Sequence, residues 1–384
     1  MTLVYGAPAP AFVERYVNRT EARKRFGQLA DEYARFMTRT DPLADEVAAW
    51  MRGSERREAF ERAVRSGIRA SDGAPLRKLF ASIDERPTWV NADALALGAQ
   101  TYQRIGKSMM FILSAWSLMN GYHSAPAVKP LAFTGQLERM APRRLAETGR
   151  FIVATIQRRA LERFGEGFQI ALRVRLMHAF VRQRVWRAGW NPAWGAPINQ
   201  ADMAGTVVEF SLLVIAGAEM LGYHFTDDER EALLHLWRYS GFVSGVDERL
   251  LEELSSVPRG ARFAELIDLV QPGPDDDSLA LAAALRRVPA QVAERPFEKA
   301  LAPLMLRVHD GLTYAFNGDE IASALQIPNR RWRHVVVPLR AVVRTLERIR
   351  RSVPGSTRVV ASVNNRAVSS HIQGLLKGLE PTYR

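Results

Sequence analysis

The stretch FQIALRVRLMHAFVRQRVWRAG, Phe168 to Gly189, is the clearest indicator of how this chain folds. Its apolar residues return every three or four positions, which is the period of an amphipathic α-helix. Gly189 follows the last of them and is suited to end a helix, because glycine tolerates the left-handed backbone found there. The same period dominates the rest of the chain, and alternating, strand-like runs are scarce. The sequence therefore predicts an all-α fold.

Three other stretches are each predicted to form one long helix: residues 94–122, 142–164 and 201–223. Pro142 is expected to open the second of them, and Gly222 to close the third. The acids of residues 227–229 are expected at the N-terminus of the next helix, where negative charge is favourable.

Two segments interrupt the helical pattern. QPGPDDD, residues 271–277, is predicted to be a linker, and RVVASV, residues 358–363, a short strand. With 384 residues, of which 47% are hydrophobic, the chain can bury a large core. We expect a single large helical domain. In it, residues 1–95 form an N-terminal helical extension that packs on the core, residues 96–270 the central helical core, and residues 271–384 a basic C-terminal helical region.

The composition excludes several kinds of chemistry. The chain has no cysteine, which rules out disulfides, thiolate ligation of iron, iron–sulfur clusters and cysteine nucleophiles. The apolar run 109–119 is too short to span a membrane, and the run after Val207 is interrupted by Glu209 and Glu219, so both are expected as buried helices. The first residues show no apolar signal segment. We expect no transmembrane segment and a cytoplasmic location.

The net charge of +12 is concentrated near one end, since residues 330–384 carry twelve lysines and arginines against two glutamates. Such a patch could meet nucleic acid, an anionic membrane surface or an acidic partner, or it could be a solvated helix face. Residues 318–351 resemble a helix-turn-helix in outline, but Pro338 falls inside the would-be second helix. That placement argues against a nucleic-acid partner.

His178 stands in the opening stretch among arginines and large apolar residues, without a second histidine or a carboxylate nearby. In a helix, Arg175 lies one turn before it and Arg182 one turn after it on the same face. Such a histidine is either a packed core residue or an axial ligand of heme iron, whose propionates two arginines could bind. Arg144 and Thr148 lie four residues apart on another predicted helix, with Glu147 beside them. An oxygenase needs a small polar set of this kind in an apolar pocket.

Several separated segments together resemble one known family. They are DPLADEVAAWM from Asp41, PTWVN from Pro87, NGYHSAPAVKPLAFTGQLERMAPRRLAETGRF from Asn120, VRLMHAFVRQRV from Val174 and GAPINQADMAGTVVEFS from Gly195. In order, they contain R-x-x-x-T, R-x-x-H-A-x-x-R and G-x-P-I-N-Q-x-D. The set resembles the latex clearing protein (rubber oxygenase) and MpaB-type oxygenase family over roughly residues 41–251, and more faintly over the C-terminal third.

The resemblance implies a heme b oxygenase with a globin-like helical core and extra flanking helices. It implies His178 as the axial ligand of the heme iron, with O2 bound opposite it, and Arg144 and Thr148 as the distal polar residues. Arg175 and Arg182 are then expected at the cofactor as propionate or packing neighbours. The expected partners are O2 and a hydrophobic, alkene-bearing, isoprenoid-like substrate, whose C=C bond such an enzyme cleaves.

The resemblance breaks at Glu147, where the rubber-cleaving members carry a lysine. An acid there could act as a proton carrier, or it could turn outward and do nothing. Asn199 and Asp202 are expected near a helix start, as a cap or as part of the pocket closure. The alternative to an oxygenase is a non-catalytic helical protein that binds heme or lipid, or associates with DNA through the basic C-terminal region.

Overall fold

The computed structural model of the protein describes residues 13–133 and 137–376, and for residues 137–140 only the backbone. The described residues form helices and connecting turns, without a β-strand among them. The all-α prediction is confirmed.

The helices follow one another closely, with short connections. Their bounds are α1 Arg19–Phe26, α2 Gln28–Phe36, α3 Pro42–Trp50, α4 Ser54–Ser66, α5 Ala74–Asp84, α6 Ala92–Ile105, α7 Ser108–Ile112, α8 Leu118–Tyr122, α9 Ala125–Ala132, α10 Leu137–Thr155, α11 Glu166–Arg187, α12 Gln200–Phe210, α13 Leu212–Leu221, α14 Asp227–Val243, α15 Glu248–Glu252, α16 Val257–Leu269, α17 Asp276–Val292, α18 Pro296–Ala324, α19 Val336–Ser352 and α20 Ser356–Leu376. A π-helical turn, Leu113–Ser117, joins α7 to α8, and 3₁₀ turns cover Pro192–Trp194 and Arg330–Val335.

The prediction of one helix over residues 94–122 is wrong. The chain breaks at Gly106, whose φ of 60° lies in the left-handed region and ends α6. A Cβ at this position would lie 2.7 Å from Cγ of Asn364, whose amide caps the Arg104 carbonyl at 2.8 Å. The segment then continues through the π-helical turn, a feature that often marks functional regions.

The prediction of one helix over residues 201–223 is also wrong, because Ser211 separates α12 from α13 with φ −110° and ψ −80°. The Ser211 hydroxyl donates to the Val207 carbonyl at 2.6 Å. Taken together, Gln200–Leu221 is the single segment of the described chain that is long and apolar enough to cross a membrane, by length and composition alone. It is 56% buried inside the protein, as expected for core helices.

Two further predictions need correction. Residues 142–164 are not one helix opened by Pro142: α10 begins at Leu137, ends at Thr155, and is followed by turns in which Arg159 and Phe164 have positive φ. The expected strand RVVASV lies inside α20, where Ala361 is buried, Val360 is half-buried, and Val359, Ser362 and Val363 are exposed. Other predicted boundaries are confirmed, including Gly222 after α13 and the acids that begin α14.

One large apolar core runs through the molecule. Its buried members extend from Val13 to Leu376 and come from all three predicted segments of the chain. The first predicted boundary, between residues 95 and 96, falls inside α6, whereas the second coincides with the loop after α16. The division into three parts stays a prediction.

Candidate functional site

The candidate site is built around α11, a helix of 22 residues with Glu166 in its first turn. Ile170 of this helix and Ala154 of α10 form a small buried cluster. Phe151 of α10 and Val174 and Met177 of α11 pack around the same two residues. The two helices that carry the predicted site residues are therefore direct neighbours.

The spacing on each helix determines which residues share this contact. Arg144, Thr148 and Phe151 lie at i, i+4 and i+7, hence on one face of α10, and Val174 and His178 lie on one face of α11. Because Phe151 and Val174 meet at the common cluster, the face of α10 that holds the polar pair is directed toward the helix of His178. The structure brings the two helices that carry these predicted residues together. A direct contact of Arg144 or Thr148 with His178 stays a prediction.

His178 is held in a state suited to binding a metal ion. Its Nδ1 atom is completely buried without a hydrogen bond, and Nε2 has no partner among the described residues. Burial, assisted by the positive charge of Arg182, lowers the pKa of His178 to about 4. The imidazole is thus neutral at physiological pH, which is the form that donates a lone pair to iron. An unpartnered neutral histidine in the interior fits the ligand role.

Arg175 and Arg182 are bound to carboxylates of α3. Arg175 forms a two-pronged pair with Asp41, Nε–Oδ2 2.6 Å and Nη2–Oδ1 3.0 Å, and Arg182 Nε lies 2.8 Å from Asp45 Oδ1. Asp41 is also the N-cap of α3, since its carboxylate accepts from the Ala44 amide at 3.2 Å. These pairs fasten α11 to α3 on both sides of His178. A propionate contact of the two arginines stays a prediction.

Residues of the G-x-P-I-N-Q-x-D motif support this arrangement. Gln200 donates to the carbonyls of Thr40, at 3.2 Å, and Gly245, at 2.9 Å, and its Oε1 accepts from the Asp247 amide at 2.8 Å. Asn199 caps α12 by accepting from the Asp202 amide at 3.0 Å. The cap role expected for Asn199 is thus present.

Asp202 belongs to a buried polar cluster away from His178. Its carboxylate pairs with Arg15 at 2.6 Å, and Arg15 also donates to the Ser124 hydroxyl at 3.3 Å. Ser124 in turn donates to Gln271 at 2.5 Å. This cluster joins the N-terminal segment to α9, α12 and the loop after α16.

The polar residues of α10 differ in their surroundings. Arg144 is half-buried, donates to the Leu131 carbonyl at 3.4 Å, and has its pKa lowered by desolvation. Glu147 accepts from Arg143 Nε at 3.0 Å along the same helix. Thr148 is half-buried. The next residue is Gly149, and an added Cβ at this position would collide with Ile372 of α20.

Two polar residues that the sequence did not indicate as site residues belong to α8 and α12. Desolvation raises the pKa of Tyr122 on α8 to about 12. The positive charge of Arg144 lowers this pKa and the negative charge of Glu209 on α12 raises it, both as smaller influences.

Glu209 is a half-buried acid on α12. Burial, with minor contributions from Asp202 and Asp268, raises its pKa to about 8. Its carboxylate makes no hydrogen bond with a described residue, and it lies so close to α8 that a Cβ at Gly121 would be 2.7 Å from Oε1. The sequence carries one indication that Glu209 is withdrawn from solvent, because this residue interrupts a long apolar run.

Aromatic rings form an apolar wall next to these groups. Phe210 packs on Trp237 with 4.9 Å between ring centroids, and Phe151 lies 6.2 Å from Phe210 and 6.1 Å from Trp237. In the apolar run of residues 109–119, Met109 and Leu113 are buried, Phe111 is half-buried, and Trp116 stacks on Phe316 with 5.2 Å between ring centroids.

The described residues contain no group of three or more histidine, cysteine or acidic side chains able to hold a metal ion by themselves. A metal at His178 would therefore have to bring other ligands with it, as the iron of a heme does.

Comparison with known families identifies the chain. The family model for the catalytic domain of the ER-bound oxygenase mpaB/B' and rubber oxygenase matches residues 102–348. The chain belongs to this family. The matched range of the oxygenase family includes Arg144, Thr148, His178 and Glu209, whereas Asp41 and Asp45 lie before it.

A solved structure of the same kind supports the fold. The structure of latex clearing protein LCP in the closed state is similar over 89% of this chain and 90% of its own, with a TM-score of 0.58 and 18% sequence identity. At this identity the similarity shows the helical fold alone. A search of the curated proteins found no match. The chain is thus a member of an oxygenase family with the fold seen in latex clearing protein.

Proposed function

We propose that the protein is a heme b-dependent oxygenase that uses O2 to oxidise a hydrophobic, alkene-bearing substrate of the isoprenoid class. The observation that carries this proposal is His178: a neutral, unpartnered imidazole on α11, beside the polar face of α10, in a member of an oxygenase family. Bound heme would supply the activation of O2 and the oxidising equivalents for the alkene.

His178 would hold the heme iron through a ring nitrogen. The pairs Asp41–Arg175 and Asp45–Arg182 would keep its helix from rotating, because each joins α11 to α3 one turn from the histidine. Under this proposal the two arginines are positioning residues. A propionate would have to displace the α3 carboxylates to bind them.

Arg144 and Thr148 would provide donors to the developing negative charge of the reacting oxygen in an otherwise apolar space. Since the pKa of Glu209 is raised to about 8, its carboxyl would hold a proton at neutral pH and could serve as a proton donor. Glu147 accepts a hydrogen bond from Arg143, and a proton-carrying role for it stays a prediction.

The proposed substrate class draws on the aromatic residues around α10. Phe151, Phe210 and Trp237 form a cluster of rings without a charged group, which favours an apolar chain over a polar metabolite. An alkene is also the group that O2-derived oxidants attack in the family's rubber oxygenase members. We therefore propose cleavage of a C=C bond to two carbonyl ends.

The test is the visible spectrum and the pyridine hemochrome of the purified protein, compared between wild type, His178→Ala and His309→Ala. His309 is a matched control, because it is also buried without hydrogen bonds, and burial lowers its pKa to about 4. We expect a Soret band in wild type and in His309→Ala, and its loss in His178→Ala with the helical circular dichroism unchanged. Full heme in His178→Ala would contradict the ligand assignment.

The reaction class needs its own measurement. Heme-loaded protein incubated with O2 and squalene or a short polyisoprene should form products that carry aldehyde or ketone ends, detected by hydrazine derivatisation and mass spectrometry. The heme-depleted His178→Ala protein is the negative control. If the protein binds heme but forms no carbonyl product from any isoprenoid alkene, the proposed reaction is contradicted and the protein is a heme protein with another function.

A further inference from the structure

The two ring nitrogens of His178 have different surroundings. Nδ1 is completely enclosed by protein atoms and makes no hydrogen bond. Nε2 is also without a partner among the described residues, but it is not enclosed, and the side chain of His178 as a whole is half-buried. A group that binds this histidine from outside the protein matrix can therefore reach Nε2 and cannot reach Nδ1.

The charged side chains around His178 bind one another and not its ring. Arg175 and Arg182, one turn before it and one turn after it on the same face, carry hydrogen-bond donors only. Both oxygens of Asp41 accept from Arg175, Oδ2 from Nε at 2.6 Å and Oδ1 from Nη2 at 3.0 Å. Asp45 accepts from Arg182 Nε at 2.8 Å. Within the part of the chain that the structure describes, Nδ1 thus has no acceptor for a proton that it carries.

The missing acceptor is unusual for a histidine that binds a metal ion. Such a histidine normally donates its second ring N–H to a carboxylate, a backbone carbonyl or a water molecule, which orients the ring and makes the ligating nitrogen more basic. Because Nδ1 of His178 is enclosed, water does not reach it either. An imidazole that lacks this hydrogen bond keeps less electron density at Nε2, so it donates more weakly to a metal ion.

We infer that His178, bound through Nε2, is a weak axial ligand of the heme iron, an inference that rests on the proposed function. Weaker donation favours ferrous over ferric iron, because the more positive ion gains more from a donating ligand, so the reduction potential is raised. The ferrous state is the one that reacts with O2, and a raised potential keeps more of the enzyme in that state. The heme is also held less tightly, since the loss of an outer hydrogen-bond partner typically weakens metal binding about 10–100-fold.

The first test replaces the side chain by free ligands. Heme-loaded His178→Gly is titrated with 4-methylimidazole, which carries an N–H, and with 1-methylimidazole, which is the same size and carries none. Without an acceptor in the protein, the N–H gives no advantage. We expect the two dissociation constants, each divided by its value for free heme in detergent, to agree within about threefold when read from the Soret band. A preference for 4-methylimidazole of about tenfold or more would reveal an acceptor and overturn the inference.

The second test supplies an acceptor. The imidazole of His178 leans toward residue 174, because helical side chains point toward the helix N-terminus. In Val174→Thr the hydroxyl can donate to the Ile170 carbonyl and accept from Nδ1–H. At the potential that half-reduces the wild type, we expect the ferric-to-ferrous ratio of this variant to be about threefold higher, and its heme to pass more slowly to apomyoglobin. Val181→Thr makes the same substitution on the other side of the histidine and should change neither quantity.

The outcomes separate this inference from the proposed function. Full heme retention in His178→Ala would overturn both, because the ligand assignment would be wrong. Heme that depends on His178, but with equal reduction potentials in Val174→Thr and Val181→Thr, would overturn the inference alone. Heme that depends on His178, with no carbonyl product from an alkene, would contradict the proposed reaction and not the inference. If one variant loses its helical circular dichroism, the test on the other decides.

Discussion

Asp41 and Arg175 form a two-pronged ion pair whose side chains are only 3% and 6% exposed. The aspartate is the N-cap of α3 and the arginine lies one turn before His178 on α11. The two charges lose their hydration on folding, and their mutual attraction offsets that cost only while both partners are present. The position of His178 is consequently tied to an acid outside the range that the family model matches.

Removing one partner of this buried pair should lower the free energy of unfolding far more than removing one partner of an exposed ion pair. We expect Asp41→Asn to lower the free energy of unfolding by about 3–5 kcal/mol, since it leaves the Arg175 charge buried without a counter-ion. The measurement is urea unfolding followed by circular dichroism. Glu265→Gln, which breaks the exposed pair with Arg25, is the control and should cost less than about 1 kcal/mol. Equal losses of unfolding free energy in Asp41→Asn and Glu265→Gln would show that the buried pair stabilises the protein no more than an exposed pair does.

Gly245 should be intolerant of a side chain. Its φ is 87°, and an added Cβ would collide with the Asp41 carboxylate and lie 2.5 Å from Arg175 Nε. Gly53 has a similar φ of 89° with nothing within 4 Å of an added Cβ, so it isolates the backbone strain. We expect Gly53→Ala to cost about 1–2 kcal/mol and Gly245→Ala clearly more. Equal unfolding free energies for the two variants would contradict the packing described.

Glu209 should make the protein less stable as the pH rises. The folded state keeps the proton up to a pKa of about 8, whereas the unfolded chain releases it near the ordinary value of 4.5. The stabilising contribution is therefore complete below pH 4.5 and is lost as the pH rises to about 8. Relative to wild type, Glu209→Gln should gain up to about 4 kcal/mol between pH 5 and pH 8.

The measurement for Glu209 is the unfolding free energy of both proteins at several pH values, with Glu265→Gln as the exposed control. A difference between Glu209→Gln and wild type that does not change with pH would show that the carboxyl is ionised in the folded protein.

Arg144 should matter for the reaction and not for cofactor retention. If the proposed function is correct, Arg144→Ala should keep the heme band and lower the rate of O2 consumption with an isoprenoid alkene at least tenfold, because one donor to the developing charge is lost. Arg150→Ala, on the same helix and paired with Glu166, is the control. The measurements are the hemochrome content and an oxygen electrode. An unchanged rate in Arg144→Ala would remove the arginine from the proposed mechanism.

The sequence predicted the all-α class and the helix of residues 166–187, because the apolar period is a local signal. It also predicted the acids that begin α14, because glycine and aspartate signals at helix ends are local too. The breaks at Gly106 and Ser211 were not predicted. The first involves a distant contact with Asn364 of α20, and the second lies at a fully buried serine between two core helices. The strand expected at residues 358–363 is wrong for a related reason: β-branched residues predict a strand locally, and packing of α20 against α10 and α6 overrides them.

For the site, the motif residues Arg144, Thr148 and His178 were identified from the chain, and the contact between α10 and α11 is found in the structure. The partners of Arg175 and Arg182 could not be predicted, because Asp41 and Asp45 are remote in sequence. Tyr122 and Glu209 were missed since their importance lies in burial, which no spacing rule reports. The cytoplasmic location and the cofactor roles of individual residues stay predictions.

The Asp41–Arg175 contact closes a loop in which the two residues are 134 positions apart. Helices α10 and α11 can form from local interactions soon after synthesis, but the anchor of α11 forms only when the N-terminal α3 returns to it. Ordering of the histidine environment is therefore expected among the later events of folding, limited by the search of a long loop. In a refolding experiment, helicity should recover before heme is captured, and the delay between them would measure this single long-range closure.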